Sequence, residues 1–321
     1  MLYHSQKLIK SMKSYQRFLI FVLLVLALTA LLSPWAAAAW AHMISTRPAW
    51  GKYQYSFSRI FDRLFMIAGI FLFFVCRSFL KLGSLNELGL TPRTRAPRDL
   101  CLGAGLALAS MVALGLIMSL TEVFTPFFRL SLSESLARCG SALIAAIGAG
   151  FAEEIFFRGI IFKGLREDLG PARSYLFAAL FFSAIHFVQP SDDAVLTGID
   201  PWAGIRHLLR SFHPFLDPGI LLPGLFGLFL IGVILCYAFE RTATLYLSIG
   251  LHAGWIFGLK SLRVFGDYAR PDLGWLFGST NPKIVSGVVT WIGLGMVALA
   301  VHRITRRRSR LVADRPPPNK A

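Results

Sequence analysis

The stretch Ala142–Gly164, ALIAAIGAGFAEEIFFRGIIFKG, decides how the rest of the chain is interpreted. It is apolar enough and long enough to cross a bilayer, because a spanning helix needs about 20 mostly apolar residues. Its second half nevertheless carries Glu153, Glu154 and Arg158. A charge at the centre of a membrane helix costs about 2.5–3.5 kcal/mol on insertion scales, so these three charges need partners, water or a function.

Helix geometry predicts how the three charges are arranged. Residues four apart share one face of a helix, and one such row consists of Ala142, Ala146, Gly150, Glu154 and Arg158. The small residues of this row allow a neighbouring helix to approach closely, while Glu154 and Arg158 neutralise each other one turn apart. Glu153 lies about 100° round the helix, where the helix offers it no base at this spacing. We therefore expect Glu153 to be available for chemistry.

The composition defines the class of protein. The chain has 321 residues, of which 55% are hydrophobic, and a mean hydropathy of +0.60. Long apolar runs without alternation exclude a β-barrel and predict an all-α, polytopic transmembrane bundle. The formal charge of +16 lies mostly in loops and tails. This distribution is typical of the positive-inside rule and gives no basic, aromatic-interleaved stripe for nucleic acid, so we expect a lipid bilayer and no nucleic-acid partner.

The apolar runs predict about eight spans, near residues 18–40, 61–80, 102–120, 142–164, 171–188, 219–239, 245–259 and 284–301. A long polar loop, residues 189–218 with Asp192, Asp193, Asp200 and Asp217, separates the fifth span from the sixth. Lys and Arg are most frequent in the N-terminal segment, in the loop after the second span and in the C-terminal tail. We therefore expect an integral protein of a bacterial inner membrane with both termini in the cytoplasm.

Two histidines lie within the predicted spans and extend the set of buried polar residues. His186 stands near the end of FFSAIHF in the fifth span, and His252 lies in LSIGLHAGWIF of the seventh. With Glu153, Glu154 and Arg158 they give five candidate catalytic residues from three helices. A carboxylate in a low-dielectric pocket is a good general base, so Glu153 and His186 together can deprotonate a water. His252 can donate to a developing oxyanion, which predicts peptide-bond hydrolysis in or at the edge of the membrane.

Other interpretations of the same residues remain open. A single intramembrane His or a Glu–Arg pair is about equally well explained by helix packing, and the seam Gly250, Gly254 and Gly258 is expected to serve packing only. Glu153, His186 and His252 would also form a zinc set with an open fourth position. Because H-E-x-x-H is absent, we favour water activation without a metal and expect no cofactor.

Three motifs together resemble the CAAX protease and bacteriocin-processing family of intramembrane glutamic endopeptidases. They are E-E-x-x-x-R in FAEEIFFRGIIF, F-x-x-x-H in FFSAIHF and the later His in LYLSIGLHAGW, and GVILCYAFERTATL adds the family's E-R-T-x-x-L turn. The resemblance implies a protease core at residues 85–260. Residues 1–84 then form a basic segment with two spans, residues 261–303 a loop with the last span, and residues 304–321 a basic, Pro-rich cytoplasmic tail.

The resemblance implies that Glu153 and His186 activate the water and that His252 helps to form the oxyanion site. Its substrate would be a membrane protein or peptide, such as a prenylated C-terminus, a bacteriocin precursor or a sorting tail. One position departs from the family, because Ile256 stands where an Asn is often found four residues after the last His. This departure motivates the alternative of a non-catalytic scaffold or immunity protein. A transporter ranks last because the chain shows no convincing internal repeat.

Overall fold

The computed structural model describes residues 12–81, 84–92, 94–128, 130–188, 198–278 and 284–313, and it confirms the all-α fold. The helices are α1 (Ser14–Ser45), α2 (Phe57–Val75), α3 (Ala96–Leu120), α4 (Leu132–Glu154), a π-helix (Ile155–Phe162), α5 (Lys163–Leu169), α6 (Pro171–Ile185), α7 (Ala203–Arg210), α8 (Pro218–Thr242), α9 (Tyr246–Leu262), α10 (Gly274–Phe277) and α11 (Val288–Ala313). Short 3₁₀ turns lie at Pro48–Tyr53, His213–Leu216, Pro271–Leu273 and Ile284–Ser286.

Two short strands interrupt the helical pattern. β1 (Phe124–Pro126) pairs antiparallel with β2 (Gly266–Tyr268), with Thr125 opposite Asp267. The strands follow α3 and α9, and the buried residues Leu114, Met118, Val123, Phe124 and Phe277 form a small apolar core beside them. The sheet thus ties together the ends of two helices that pack along their length.

Each of the eight predicted spans overlaps a helix, although α2 already ends at Val75 and α11 begins only at Val288. Within the described residues, five helical segments are long and apolar enough to cross a membrane: Ser14–Ser45, Ala96–Leu120, Leu132–Leu169, Leu221–Thr242 and Val288–Arg306. α6 and α9 are shorter, at 15 and 17 residues, and α2 carries Arg59, Asp62 and Arg63. The chain is an integral membrane protein. The described residues contain more helices than the five segments that are long and apolar enough to cross a membrane.

The described residues divide into two compact units. The first comprises those within Met1–Leu82 and Ala184–Leu221, and its core is formed by Ala30, Ala37, Phe57, Phe61 and Ala203. The prediction of a long polar loop over residues 189–218 is wrong for its second half. That half contains α7 and a 3₁₀ turn, because its apolar residues recur at helical spacing. Asp192 and Asp193 lie outside the described residues.

The second unit comprises the described residues within Gly83–Ser183 and Leu222–Ala321, and close helix packing dominates it. β-Carbons built on Gly250, Gly254 and Gly258 would come within 3.0 Å of atoms of α3. The predicted packing seam of α9 is therefore confirmed. On another side of α9, a β-carbon on Gly150 would lie 3.1 Å from Ala253. Small residues thus bring α3, α9 and α4 into backbone contact.

The predicted row on the organising helix is also confirmed. Four of its members are buried in α4 and Arg158 is buried in the π-helix that follows: Ala142, Ala146, Gly150, Glu154 and Arg158. Because Gly150 touches α9 one turn before Glu154, the same packing that joins the helices carries the acidic side chain to the α4–α9 interface.

This packing predicts different outcomes for two glycines of α3. A β-carbon at Gly103 would lie 2.7 Å from Leu251 N and closer still to Leu247 O, whereas one at Gly105 meets no described atom within 4 Å. Both changes to Ala remove the same helix-disfavouring residue, but overpacking costs about 1–3 kcal/mol. We expect Gly103→Ala to lower the melting temperature of the detergent-solubilised protein relative to Gly105→Ala. Equal melting temperatures for the two variants would contradict the described contact of α3 with α9.

Candidate active site

A buried ion pair forms the centre of the site. Nη1 of Arg158 donates to Oε1 of Glu154 at 2.7 Å, and both residues are 0% exposed. The guanidinium also lies 4.5 Å from the ring centroid of Phe182 and 3.4 Å from the carbonyl oxygen of Gly232. A buried ion pair needs such further contacts because both charges have lost their water. The predicted pairing of Glu154 with Arg158 is thus observed.

His252 lies between the two glutamates. Its Nδ1 is 2.8 Å from Oε1 of Glu154, and its Nε2 is 3.7 Å from Oε2 of Glu153. Because a carboxylate accepts hydrogen bonds, Glu154 holds the Nδ1–H form of the ring and directs Nε2 towards Glu153. The ring of Phe182 meets the imidazole edge-on at a centroid distance of 5.7 Å, which further fixes its plane.

The two glutamates differ in accessibility although they are adjacent in sequence. The side chain of Glu153 is 33% exposed, while that of Glu154 is fully buried. Four charged or chargeable groups meet here, and their charges sum to zero when both glutamates are ionised and His252 is protonated. Glu154 is therefore positioned to orient other groups, and Glu153 is positioned to meet a substrate or a water.

A π-helix begins directly after Glu154 and was not predicted. It covers Ile155–Phe162, and π-helical turns, whose hydrogen bonds span one residue more than those of an α-helix, occur frequently at functional sites. It bulges out of an otherwise continuous helix, and a β-carbon at its Gly159 would lie 2.8 Å from the carbonyl oxygen of Leu88. The apolar residues of IFFRGIIF are compatible with either helix type, so the local sequence contains no signal that distinguishes them.

Ser248 is a site residue that sequence reasoning missed. It is fully buried, and its hydroxyl lies beside the Glu154 carboxylate and 3.0 Å from the carbonyl oxygen of Leu245. Its hydroxyl donates to the carbonyl oxygen of Leu245. Its position four residues before His252, on the same face of α9, is the signal that would have identified it.

His186 lies in the turn that follows α6, and this part of the chain belongs to the first unit. It comes four residues after Phe182, whose ring contacts both Arg158 and His252. The structure therefore brings Glu153, Glu154, Arg158 and His252 together in the second unit. The pairing of His186 with Glu153 stays a prediction.

The turn between α8 and α9 fixes the start of the helix that carries His252. The hydroxyl of Thr242 accepts from the backbone N–H of Thr244, and the N–H of Leu245 donates to the carbonyl oxygen of Gly89 at 2.9 Å. Glu240 accepts two hydrogen bonds from Arg166, at 2.9 and 3.0 Å. These contacts give the E-R-T-x-x-L segment a structural role in holding α9.

The alternative zinc set of Glu153, His186 and His252 draws its side chains from both units and stays an alternative. In the described part of the chain, no group of three or more His, Cys, Asp or Glu side chains has a geometry that could hold a metal ion. His252 directs Nδ1 to Glu154 and Nε2 to the side of Glu153. This donor arrangement suits proton transfer and hydrogen bonding within the cluster.

Fold and site together define a polytopic helical membrane protein with a buried carboxylate–histidine–arginine cluster. Residues 135–258 match the protein family described as type II CAAX prenyl endopeptidase Rce1-like. The matched segment runs from α4 to α9 and includes all five candidate residues, so the resemblance to the CAAX protease and bacteriocin-processing family is confirmed. Neither a curated protein nor a solved structure matches the chain.

The buried pair predicts a large stability difference between two arginine variants. Arg158→Gln leaves Glu154 charged and buried, which costs about 3–5 kcal/mol. Arg166→Gln breaks a pair whose side chains are 39% and 33% exposed, and such pairs contribute about 0–1 kcal/mol. Chemical unfolding in mixed micelles measures the loss in free energy of unfolding for both variants.

A double variant separates the ion pair from the packing of the side chain. We expect Glu154→Gln combined with Arg158→Gln to regain part of the stability lost in Arg158→Gln, because no buried charge then lacks its partner. An Arg158→Gln variant as stable as Arg166→Gln would contradict the assigned burial of this pair.

Proposed function

We propose that this protein is an intramembrane endopeptidase that hydrolyses a peptide bond of a membrane protein or peptide substrate. The observation that carries the proposal is the division of roles within one buried cluster. Glu154 makes short contacts with both Arg158 and His252. The side chain of the adjacent Glu153 is instead partly exposed. The Rce1-like match over residues 135–258 supports the same class of reaction.

In the proposed mechanism, Glu153 acts as the general base, assisted by His186. Glu153 takes a proton from water, and the resulting hydroxide attacks the scissile carbonyl carbon. The carbonyl oxygen becomes an oxyanion and accepts a hydrogen bond from the Nε2–H of protonated His252, a preorganised donor of the kind that lowers such barriers. Glu153 then returns the proton to the leaving amine as the C–N bond breaks. Arg158 and Glu154 act as positioning residues because they hold His252.

The position of His252 along α9 supports cleavage close to a membrane boundary. α9 begins at Tyr246, and six residues of helix correspond to about 9 Å. A substrate carbonyl therefore needs to enter only the edge of the hydrocarbon layer to reach the imidazole. With both termini in the cytoplasm of a bacterium, as we also propose, this edge is the cytoplasmic one.

The substrate classes that this mechanism accommodates include bacteriocin precursors, C-terminal sorting tails and prenylated C-termini. A basic, compact chain is typical of a bacterial protein, which favours the first two substrate classes over prenylated C-termini. Ile256, which lies one turn after His252, supports the competing proposal of a non-catalytic scaffold or immunity protein. Its side chain cannot donate the hydrogen bond that the family's frequent Asn would supply, so His252 must act as the oxyanion donor without it.

The proposal predicts that Glu153→Gln lowers substrate cleavage by at least about 100-fold, the usual contribution of a general base. Because Glu153 is partly exposed, we expect the variant to keep its membrane level and melting temperature. Glu167→Gln is the matched control, since Glu167 is an exposed residue of α5. The measurement is a quantitative comparison of peptide termini in membranes and culture fluid from wild type, a deletion strain and both variants.

A substrate that remains unprocessed in the deletion strain and in Glu153→Gln, but not in Glu167→Gln, would support the protease and name its target. If Glu153→Gln instead matched the wild type while the deletion strain differed, the chain would act without hydrolysis. That outcome would favour the scaffold or immunity protein.

A further inference from the structure

A stripe of exposed apolar side chains runs along α7 and its flanking turns, within the first unit. Its members recur every three or four residues, and those within the helix, Ile205 and Leu209, share one face of α7. Each is 43–76% exposed: Ile199, Trp202, Ile205, Leu209, Phe212 and Leu216. We call this set the α7 stripe. Contiguous apolar surface of this kind marks an interaction site.

The opposite side of α7 is packed tightly against α1 and α2. Ala203, Gly204 and His207 are buried, and the imidazole of His207 lies 5.4 Å and 4.7 Å from the rings of Phe57 and Phe61. A β-carbon on Gly204 would overlap the carbonyl oxygen of Ala30 and lie 2.7 Å from Ser33 Oγ. α7 is thus an integral part of this unit, with its contact to α1 made through backbone.

The contact with Ala30 fixes the depth of α7 in the membrane. α1 has 32 residues, which corresponds to about 48 Å at 1.5 Å per residue. Ala30 lies near its midpoint, about 24 Å from its start. A hydrocarbon layer about 30 Å thick covers more than half of the length of α1. The layer therefore includes the midpoint of α1 at whichever position along the helix the layer lies. Gly204 must therefore lie at the depth of the lipid acyl chains.

The surroundings of this contact agree with a lipid environment. Leu31, Leu32 and Trp35 follow Ala30 on α1 and are 65%, 41% and 50% exposed. On α7, the exposed cation Arg206 forms an ion pair with Asp200. Arg210 is a second exposed cation at the end of this helix, and an arginine side chain is long enough to place its charge away from the apolar surface that its stem covers. Apolar side chains and a neutralised pair at this depth are suited to hydrocarbon.

We propose that residues 198–216 form a membrane-embedded segment and that lipid acyl chains cover the α7 stripe. The segment enters the bilayer from the end at which α1 finishes and α2 starts, and it spans only part of the thickness. This proposal is independent of the proposed peptidase activity, because it rests on contacts of the first unit alone.

Spin labels at three stripe positions test the proposal. The native cysteines Cys76, Cys101, Cys139 and Cys236 are replaced, and single cysteines are introduced as Trp202→Cys, Leu209→Cys or Leu216→Cys in the full chain in lipid nanodiscs. Leu31→Cys on α1 supplies the lipid reference and Gly51→Cys the water reference. All five positions are exposed, so a label there is not expected to disturb packing. The melting temperature of each labelled variant verifies this.

The readout is the ratio of collision rates with oxygen, which concentrates in hydrocarbon, and with a water-soluble nickel chelate. We expect stripe positions to show a ratio several-fold higher than Gly51→Cys and close to that of Leu31→Cys. A ratio equal to that of Gly51→Cys would overturn the proposal in favour of water exposure. Low collision rates with both reagents would overturn it in favour of a protein cover, such as a second copy of this chain.

Discussion

The short contacts of Glu154 with Arg158 and His252 are the constraint on which the second unit depends. The free-energy cost of removing water from two charges exceeds their Coulombic attraction unless their geometry is good and further contacts are present. The carboxylate therefore has Arg158 at 2.7 Å and His252 at 2.8 Å. Such distances can be met only if α4 and α9 keep one depth and one rotation with respect to each other.

The glycine and alanine packing supplies that fixed relation. Between helices in lipid there is little hydrophobic driving force, so association relies on close backbone approach and on hydrogen bonds. Gly150, which lies one turn before Glu154 on α4, contacts Ala253, which directly follows His252 on α9. On the α3 side, Trp255 donates to the hydroxyl of Ser110 at 3.1 Å. The site and the packing are therefore one structural feature.

The chemistry that we propose follows from a difference between neighbouring side chains. Glu153 and Glu154 have the same functional group, yet only Glu153 keeps an exposed fraction. The π-helix that starts after Glu154 belongs to the same feature, because it changes the direction of the side chains that follow without ending the helix. Orientation and reactivity are thus assigned to different carboxylates. The first unit is built differently, since its α7 presents apolar side chains outward and small ones inward.

Much of this architecture is encoded in local sequence. The apolar runs predict the helices, and the four-residue spacing predicts both the Glu154–Arg158 pair and the buried row from Ala142 to Arg158, because such contacts lie within one helix. The His252–Glu154 contact joins residues 98 positions apart. Gly159 of the π-helix likewise approaches Leu88, and Gly204 of α7 approaches Ala30, both of which are distant in sequence. Only the tertiary structure decides these contacts, because local spacing specifies a helix and its apolar face but not which distant residues that face meets.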